Sequence, residues 1–168
     1  MTEDDVINFE IVYESPWGYW TEMTAVMSFR PLEEEADRLL RTYLEAVDNS
    51  SALAKPGMKL RAISDANDQT FIDCGYTIAG KHTPDCHPIG LDGSDGPSSL
   101  ADPDFTLEAN QVLSFHPGTV LPENRGFLIS DNFLVTPTGG VRLSPHSFER
   151  HMFRLDPRKK RAGDHASD

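Results

Sequence analysis

Cysteine is scarce in this sequence: Cys74 and Cys86 are the only two in 168 residues. Their spacing of 12 fits neither a CxxC redox pair nor a zinc ribbon, and two thiols build no disulfide framework, so both are expected to be reduced and structural. Positive charge is also short. Fifteen basic residues against 27 acidic ones give a formal net charge of −12, which repels phosphate backbones and anionic membrane surfaces and argues against a nucleic-acid partner. Apolar runs last only a few residues, so no stretch reads as a transmembrane helix and no membrane partner is expected. The opening Met1-Thr-Glu-Asp-Asp5 lacks the basic start and apolar stretch of a secretory signal, which places the expected location in the cytoplasm.

What is present suits one domain with a sizeable core. The expected division is a disordered start at 1–5, a folded unit at 6–155, and a disordered charged tail at 156–168 that has almost no large apolar groups. Residues 6–14 and 18–29 are rich in β-branched and aromatic types and are separated by Ser15-Pro16, which predicts a β-hairpin. Pro31 stands at the first position of a predicted helix, Glu33 to Glu35 load its first turn, and Leu32, Ala36, Leu39, Leu40, Tyr43, Leu44 and Val47 make its apolar face. Residues 48–51 are expected to fray or interrupt that helix. After Lys55-Pro56-Gly57, the apolar positions Leu60, Ile63, Ala66, Phe71 and Ile72 predict a second helix capped near Gly75.

From Tyr76 onward the pattern becomes short strands between Gly and Pro. Residues 92–104 read as a polar loop, and strands are expected at 111–116, 126–136 and 141–143, the last two joined by Pro137-Thr-Gly-Gly140. Any chemistry is expected between Ile78 and Val135, where His87 and His116 sit beside turn-forming Pro and Gly. His146 and His151 lack the spacing of an HExxH helix and read as surface groups. Arg158-Lys-Lys-Arg161 reads as solubilising, and the Trp17 and Trp20 pair as packing.

Four words then resemble those of the pita-bread metallopeptidases, the family of prolidase, Xaa-Pro aminopeptidase, methionine aminopeptidase and creatinase. Gly18-Tyr-Trp-Thr-Glu22-Met-Thr24 resembles the family's aspartate strand, Cys86-His-Pro-Ile-Gly-Leu91 its GHGIGL word, and Ser114-Phe-His-Pro-Gly118 its T-I-E-P-G word. Residues 126–145 resemble its G-V-R-I-E-D-T strand and following hairpin. The gaps of 65 from Glu22 to His87, 29 to His116 and 14 to Ser130 also suit a prolidase-like member. The resemblance implies an α+β fold, a partial pita-bread with an antiparallel curved sheet and two main helices packed on one face.

It also implies a pair of divalent metals held by two aspartates, one histidine and two glutamates, with a water as nucleophile. Carried over position by position, the first aspartate falls on Ile11, or on Glu10 if the preceding loop has one extra residue. The second falls on Glu22, the histidine on His87, the first glutamate on His116 and the second on Ser130. Asp131 lies next to Ser130, but strand neighbours point to opposite faces. A substrate-facing histidine of the family falls on Ser94, and another is approximated by His82. The substituted set, Glu22, His87, His116 and Glu10, is compatible with one divalent metal (Mn, Zn, Co or Fe) and equally with none. Without a metal, His87 or His116 would be the general base.

The expected function is a prolidase- or aminopeptidase-type hydrolase domain acting on a dipeptide or small amide, with His87, His116 and His82 as catalytic candidates. The alternative is a domain without catalysis that binds a peptide or protein partner in the old cleft. Ten residues precede Ile11, where the resemblance implies a large N-terminal portion. The chain is therefore expected to be a C-terminal part of the fold, completed by a homodimer mate or by a complementing chain, or left as the remnant of a longer gene.

Overall fold

The computed structural model describes residues 2–122 and 126–144 and the backbone of 152–154. His146, His151, the Arg158 cluster and the tail at 156–168 lie outside the described residues. Strands β1 (Val6–Glu14) and β2 (Trp20–Ser28) form the expected hairpin, antiparallel from Val6 opposite Ser28 to Glu14 opposite Trp20. Gly18, with φ +79°, makes the turn that a residue with a Cβ adopts poorly. Trp17 is not packed but 82% exposed at the hairpin tip. Ahead of β1, Arg30 ion-pairs with Glu3 and Asp4 at 2.7 and 2.6 Å.

Helix α1 (Glu34–Ser51) begins three residues after Pro31, because the carbonyl of Glu33 is the first to accept a helical bond, from Asp37 N–H. It continues unbroken through 48–51. Ser50 and Ser51 turn their hydroxyls back onto the carbonyls of Val47 and Asp48, and Arg142 holds the Asp48 side chain, so these residues stay in the helix. Helix α2 (Leu60–Asp73) is stopped by Cys74 at its C-cap and Gly75, φ +85°, just beyond. Its buried face is Leu60, Ile63, Asn67, Thr70 and Phe71, while Ile72 is exposed.

Among the described residues, seven short strands follow: β3 (Gly80–Lys81), β4 (Cys86–Pro88), β5 (Val112–Phe115), β6 (Thr119–Val120), β7 (Asp131–Thr136), β8 (Gly139–Arg142) and β9 (Met152–Arg154). Strands β4, β5, β7 and β8 make an antiparallel sheet in that order, β3 pairs with β6, and β9 runs parallel beside β2. The strand expected over 126–136 enters the ladder only at Asp131. Before that, its backbone bonds to side chains of the first hairpin: Asn8 takes both polar groups of Leu128, and Thr24 Oγ1 accepts Ser130 N–H. Gly139, φ +129°, and Gly140 pass so close to the end of α1 that added Cβ atoms would lie 2.9 and 2.7 Å from the Ala52 and Ser51 carbonyl oxygens. The loop over 92–104 is tied down, since Ser99 Oγ accepts the amide of Asp85 and Ser99 N–H donates to Cys86 O at 3.0 Å.

The core lies between the helices and one face of the four-stranded sheet, where Leu40, Tyr43, Ile63 and Phe71 meet Leu113, Phe115, Phe133 and Val135. Tyr43 stacks edge-on with Phe71 at 4.8 Å and donates its hydroxyl to Thr119 O. Replacing Tyr43 with Ala is expected to destabilise the fold by about 3–5 kcal/mol, and with Phe by only about 1 kcal/mol, the net worth of one hydrogen bond. Urea denaturation checks this; equal losses in the two variants would show that the hydroxyl and not the ring carries the contact.

Candidate functional site

The alternation that sends Leu113, Phe115 and Phe133 into the core sends Ser114, His116 and Asn132 to the opposite face. On β4, Cys86 goes to the core and His87, opposite Ser114, to the same inner face. The first hairpin closes over it with Glu22, whose neighbours in register put Glu10, Thr24 and Val12 on that side. Ile11 pairs with Met23 and faces away. The result is a buried group of one carboxylate and two imidazoles: Glu22, His87 and His116, with donor atoms all within 4.8 Å of one another. Glu22 Oε1 lies 3.6 Å from the Nε2 atoms of both histidines, and the two rings are 5.0 Å apart.

Several contacts hold these groups. Ser114 Oγ donates to Glu22 Oε1, and Asn132 Nδ2 donates to the Glu22 carbonyl at 3.1 Å. His87 Nδ1 sits 3.0 Å from the carbonyl of Pro88. Because a carbonyl only accepts, Nδ1 carries the proton, and neutral His87 presents the lone pair of Nε2 to the cluster. His116 N–H donates to Asp85 O at 2.9 Å, and Gly118 N–H to the Asp85 carboxylate at 3.0 Å. A Cβ on Gly118 would lie 1.8 Å from Thr83 O, so only glycine lets this loop close against the segment that leads to His87. Lys81 bridges the fully buried Asp85 to Asp68, at 2.7 Å from each.

Glu10 is exposed and stands outside the three-residue group, yet its charge reaches Glu22 and His87. His82 is not brought to the cluster: it is exposed, its N–H bonds Gly118 O, and it lines a small cavity with Tyr43 and Pro117. Ser94 is exposed. Ser130 Oγ is buried without a hydrogen bond of ordinary geometry, as are His116 Nδ1 and Asn132 Oδ1. Asp131 turns the other way, to Arg142 and Ser144. Ser114, Asp85 and Asn132 were not singled out from the sequence. Ser114 was within reach, since it lies two residues before His116 and shares its face, whereas Asp85 and Asn132 act through tertiary contacts.

These positions decide which metal group fits. The resemblance implies two cations bridged by carboxylates, but the two glutamate positions hold His116 and the hydroxyl of Ser130, and Asp131 points away. A two-cation centre does not fit. A single cation does, on one carboxylate and two imidazoles.

Burial alone would lower the His87 pKa, but the Glu22 carboxylate, the Pro88 carbonyl and the charge of Glu10 raise it above the ordinary histidine value. His116 goes the other way, lowered by burial that the attraction of Glu22 does not offset. Burial pushes Glu22 up, and His87, Ser114 and the charge of His116 bring it below the usual carboxylate range. Glu10, exposed at its edge but partly desolvated on the inner face, is raised by that desolvation and by the charge of Glu22. His87 binds its proton more tightly in the folded state. Its share of stability is therefore present below the ordinary histidine pKa of about 6.5 and lost as pH rises through the raised value. The share of Glu22 is present above the carboxylate range and lost as pH falls through the lowered value.

Two outcomes follow for the apo protein. In Glu22→Gln, an NMR titration should find His87 moved from above its ordinary pKa to below it, because burial is then opposed by less; an unmoved His87 would contradict the pairing. Burial also raises the Cys86 thiol far above its ordinary range, so a thiol reagent at pH 8 should modify half-buried Cys74 and reach Cys86 only in denaturant. Prompt modification of both in the native protein would contradict that burial.

Comparison with known proteins matches the model of "Metallopeptidase family M24" to residues 1–137. An uncharacterised peptidase of Staphylococcus haemolyticus is 27% identical over 141 residues, covering 83% of this chain and 39% of its own length. Among solved structures, an X-Pro aminopeptidase from Thermotoga maritima superposes with a TM-score of 0.78 at 23% identity, covering 91% of this chain and 42% of that one. The prolidase from Pyrococcus furiosus gives a TM-score of 0.75 at 21% identity, over 86% of this chain and 42% of that one. The chain thus spans about two-fifths of the length of the relatives it matches. The structural likeness shows an α+β fold that is part of a pita-bread. With the family model covering most of the sequence, the chain belongs to metallopeptidase family M24.

Proposed function

We propose that this chain is a hydrolase domain whose centre takes one divalent cation in place of the pair implied by the family resemblance, and that it acts on the amide bond of a dipeptide or other small amide. The observation that carries this reading is the convergence of Glu22, His87 and His116, all buried, with donor atoms within 4.8 Å. One carboxylate with two imidazoles suits Zn, Mn, Co or Fe(II). Such a cation, when bound, supplies Lewis acidity toward an amide carbonyl.

The chain's own residues do the rest. Pro88 fixes the tautomer of His87, Ser114 and Asn132 hold Glu22 in place, and the burial of all three donors excludes bulk water. Glu10, on the same face with a raised pKa, would hold or move a proton at its carboxylate.

A second reading, a domain that binds a peptide without cleaving it, is favoured by the loss of both glutamates at His116 and Ser130. Turnover separates the two. Protein supplied with Zn or Mn should hydrolyse Xaa-Pro dipeptides, and His87→Ala or His116→Ala should reduce turnover to background. Unaltered turnover in both variants would remove these residues from the mechanism. A dipeptide that raises the Tm of the wild type with no turnover would favour the second reading.

A further inference from the structure

Two buried polar atoms at the centre, His116 Nδ1 and Ser130 Oγ, have no hydrogen bond of ordinary geometry, and they belong to opposed residues. Their placement follows from register. The ladder of β5 and β7 ends with Phe115 opposite Asp131, and one step further the same register sets His116 opposite Ser130. Both stand on the inner face, because Ser114 and Asn132, two residues from each along the chain, are there. Directly opposed side chains of an antiparallel pair have Cβ atoms about 5 Å apart, within reach of a ring nitrogen and a hydroxyl. Thr24 Oγ1 holds the backbone of Ser130 in that position by accepting its N–H at 2.6 Å. Thr24 is itself opposite Glu10 in the hairpin, so Glu10, Thr24, Ser130 and His116 follow one another across the inner face.

We propose that Ser130 is a positioning residue for His116: its hydroxyl oxygen accepts the Nδ1 proton of His116, its own proton goes to the Glu10 carboxylate, and the ring is kept in the tautomer that offers the Nε2 lone pair to the cluster. This deepens the proposed function, on which its consequence for cation binding rests. A ring that gives Nε2 to a cation carries its single proton on Nδ1, and that N–H, once buried, needs an acceptor. His87 has the Pro88 carbonyl for this purpose, whereas Nδ1 of His116 has no such carbonyl. A serine hydroxyl accepts and donates at once, and the outlet for its proton is Glu10, on whose carboxylate it already acts. Asn132 Oδ1 also lacks a partner, but Asn132 sits opposite Ser114, one pleat repeat away, with its Nδ2 tied to Thr21 and to the Glu22 carbonyl. Glu22 does not compete for the proton at Nε2, since its Oε1 lies 3.6 Å away, beyond hydrogen-bond length, and takes the hydroxyl of Ser114. Nor does the Ser130 hydroxyl act as a nucleophile, because full burial puts it out of reach of a substrate.

Long-range nitrogen–proton NMR on the imidazoles of the apo protein at neutral pH reads the tautomer directly, with no cation and no turnover required. Wild type should show His116 as the Nδ1–H form. In Ser130→Ala that proton loses its acceptor, and His116 should move to the Nε2–H form while His87, held by Pro88, stays as it is. Ser130→Thr keeps a hydroxyl and should return the Nδ1–H form. A side chain that only filled space would leave the tautomer unmoved. His116 as Nε2–H in wild type, or the same form in wild type and Ser130→Ala, overturns the proposal. If a variant does not fold, the wild-type tautomer decides: Nδ1–H supports the role of Ser130 and Nε2–H overturns it. Competition for Zn against a fluorescent chelator reads the consequence, and Ser130→Ala should bind about 10–100-fold more weakly than wild type. Equal affinity in the two would overturn the positioning role. The expected tautomers in a protein that binds no Zn support the role of Ser130 and contradict the one-cation reading, so the two fail separately.

Discussion

Side chains on a strand alternate sides, and the centre of this chain depends on four strands keeping that alternation in step. One set, Leu113, Phe115, Phe133 and Val135, meets the helices and supplies much of the core. The other, Glu22, His87, Ser114, His116 and Asn132, is forced together on the far face. A slip of one residue in any of these strands would exchange the sets, burying an imidazole among Tyr43 and Phe71 and turning a phenylalanine into the site. The apolar core therefore fixes the register of the donors, and packing energy is what holds a group of three titratable side chains out of water.

Such a group is costly to bury, and the structure offsets the cost locally. Glu22 accepts from Ser114 and lies equidistant from two Nε2 atoms, and these partners hold its pKa down against burial. The two histidines respond in opposite directions because their surroundings differ: His87 gains from Glu22, Glu10 and Pro88, while His116 is dominated by burial. Below them, the buried Asp85 ties the segment that carries His87 to the loop after His116, and Lys81 neutralises it. The spacing of the two imidazoles is thus set by a second polar network that never touches them through its side chains.

Much of this was legible in the sequence because it follows local rules. The hairpin, the two helices and the Gly75 cap are read from period and turn residues, and His87 and His116 stand out beside Pro and Gly. The departures have tertiary causes. Helix α1 survives 48–51 because Arg142, 94 positions away, holds Asp48. The strand over 126–136 is shortened because Asn8 and Thr24 take its backbone groups. Trp17 is exposed although tryptophan usually packs, since the hairpin tip projects beyond the core. Parity alone decided between Glu10 and Ile11 and between Ser130 and Asp131, once pairing had set the faces.

On the proposed reading, substitution at His116 and Ser130 reduces a two-cation centre to one held by Glu22, His87 and His116. Counting bound cations tests it most directly, by titrating apo protein with Zn and measuring equivalents retained after gel filtration. The wild-type chain should retain about one equivalent, and His116→Glu with Ser130→Glu, which returns the bridging carboxylates, about two. Two equivalents in the wild type, or fewer than about a tenth of one, would contradict it.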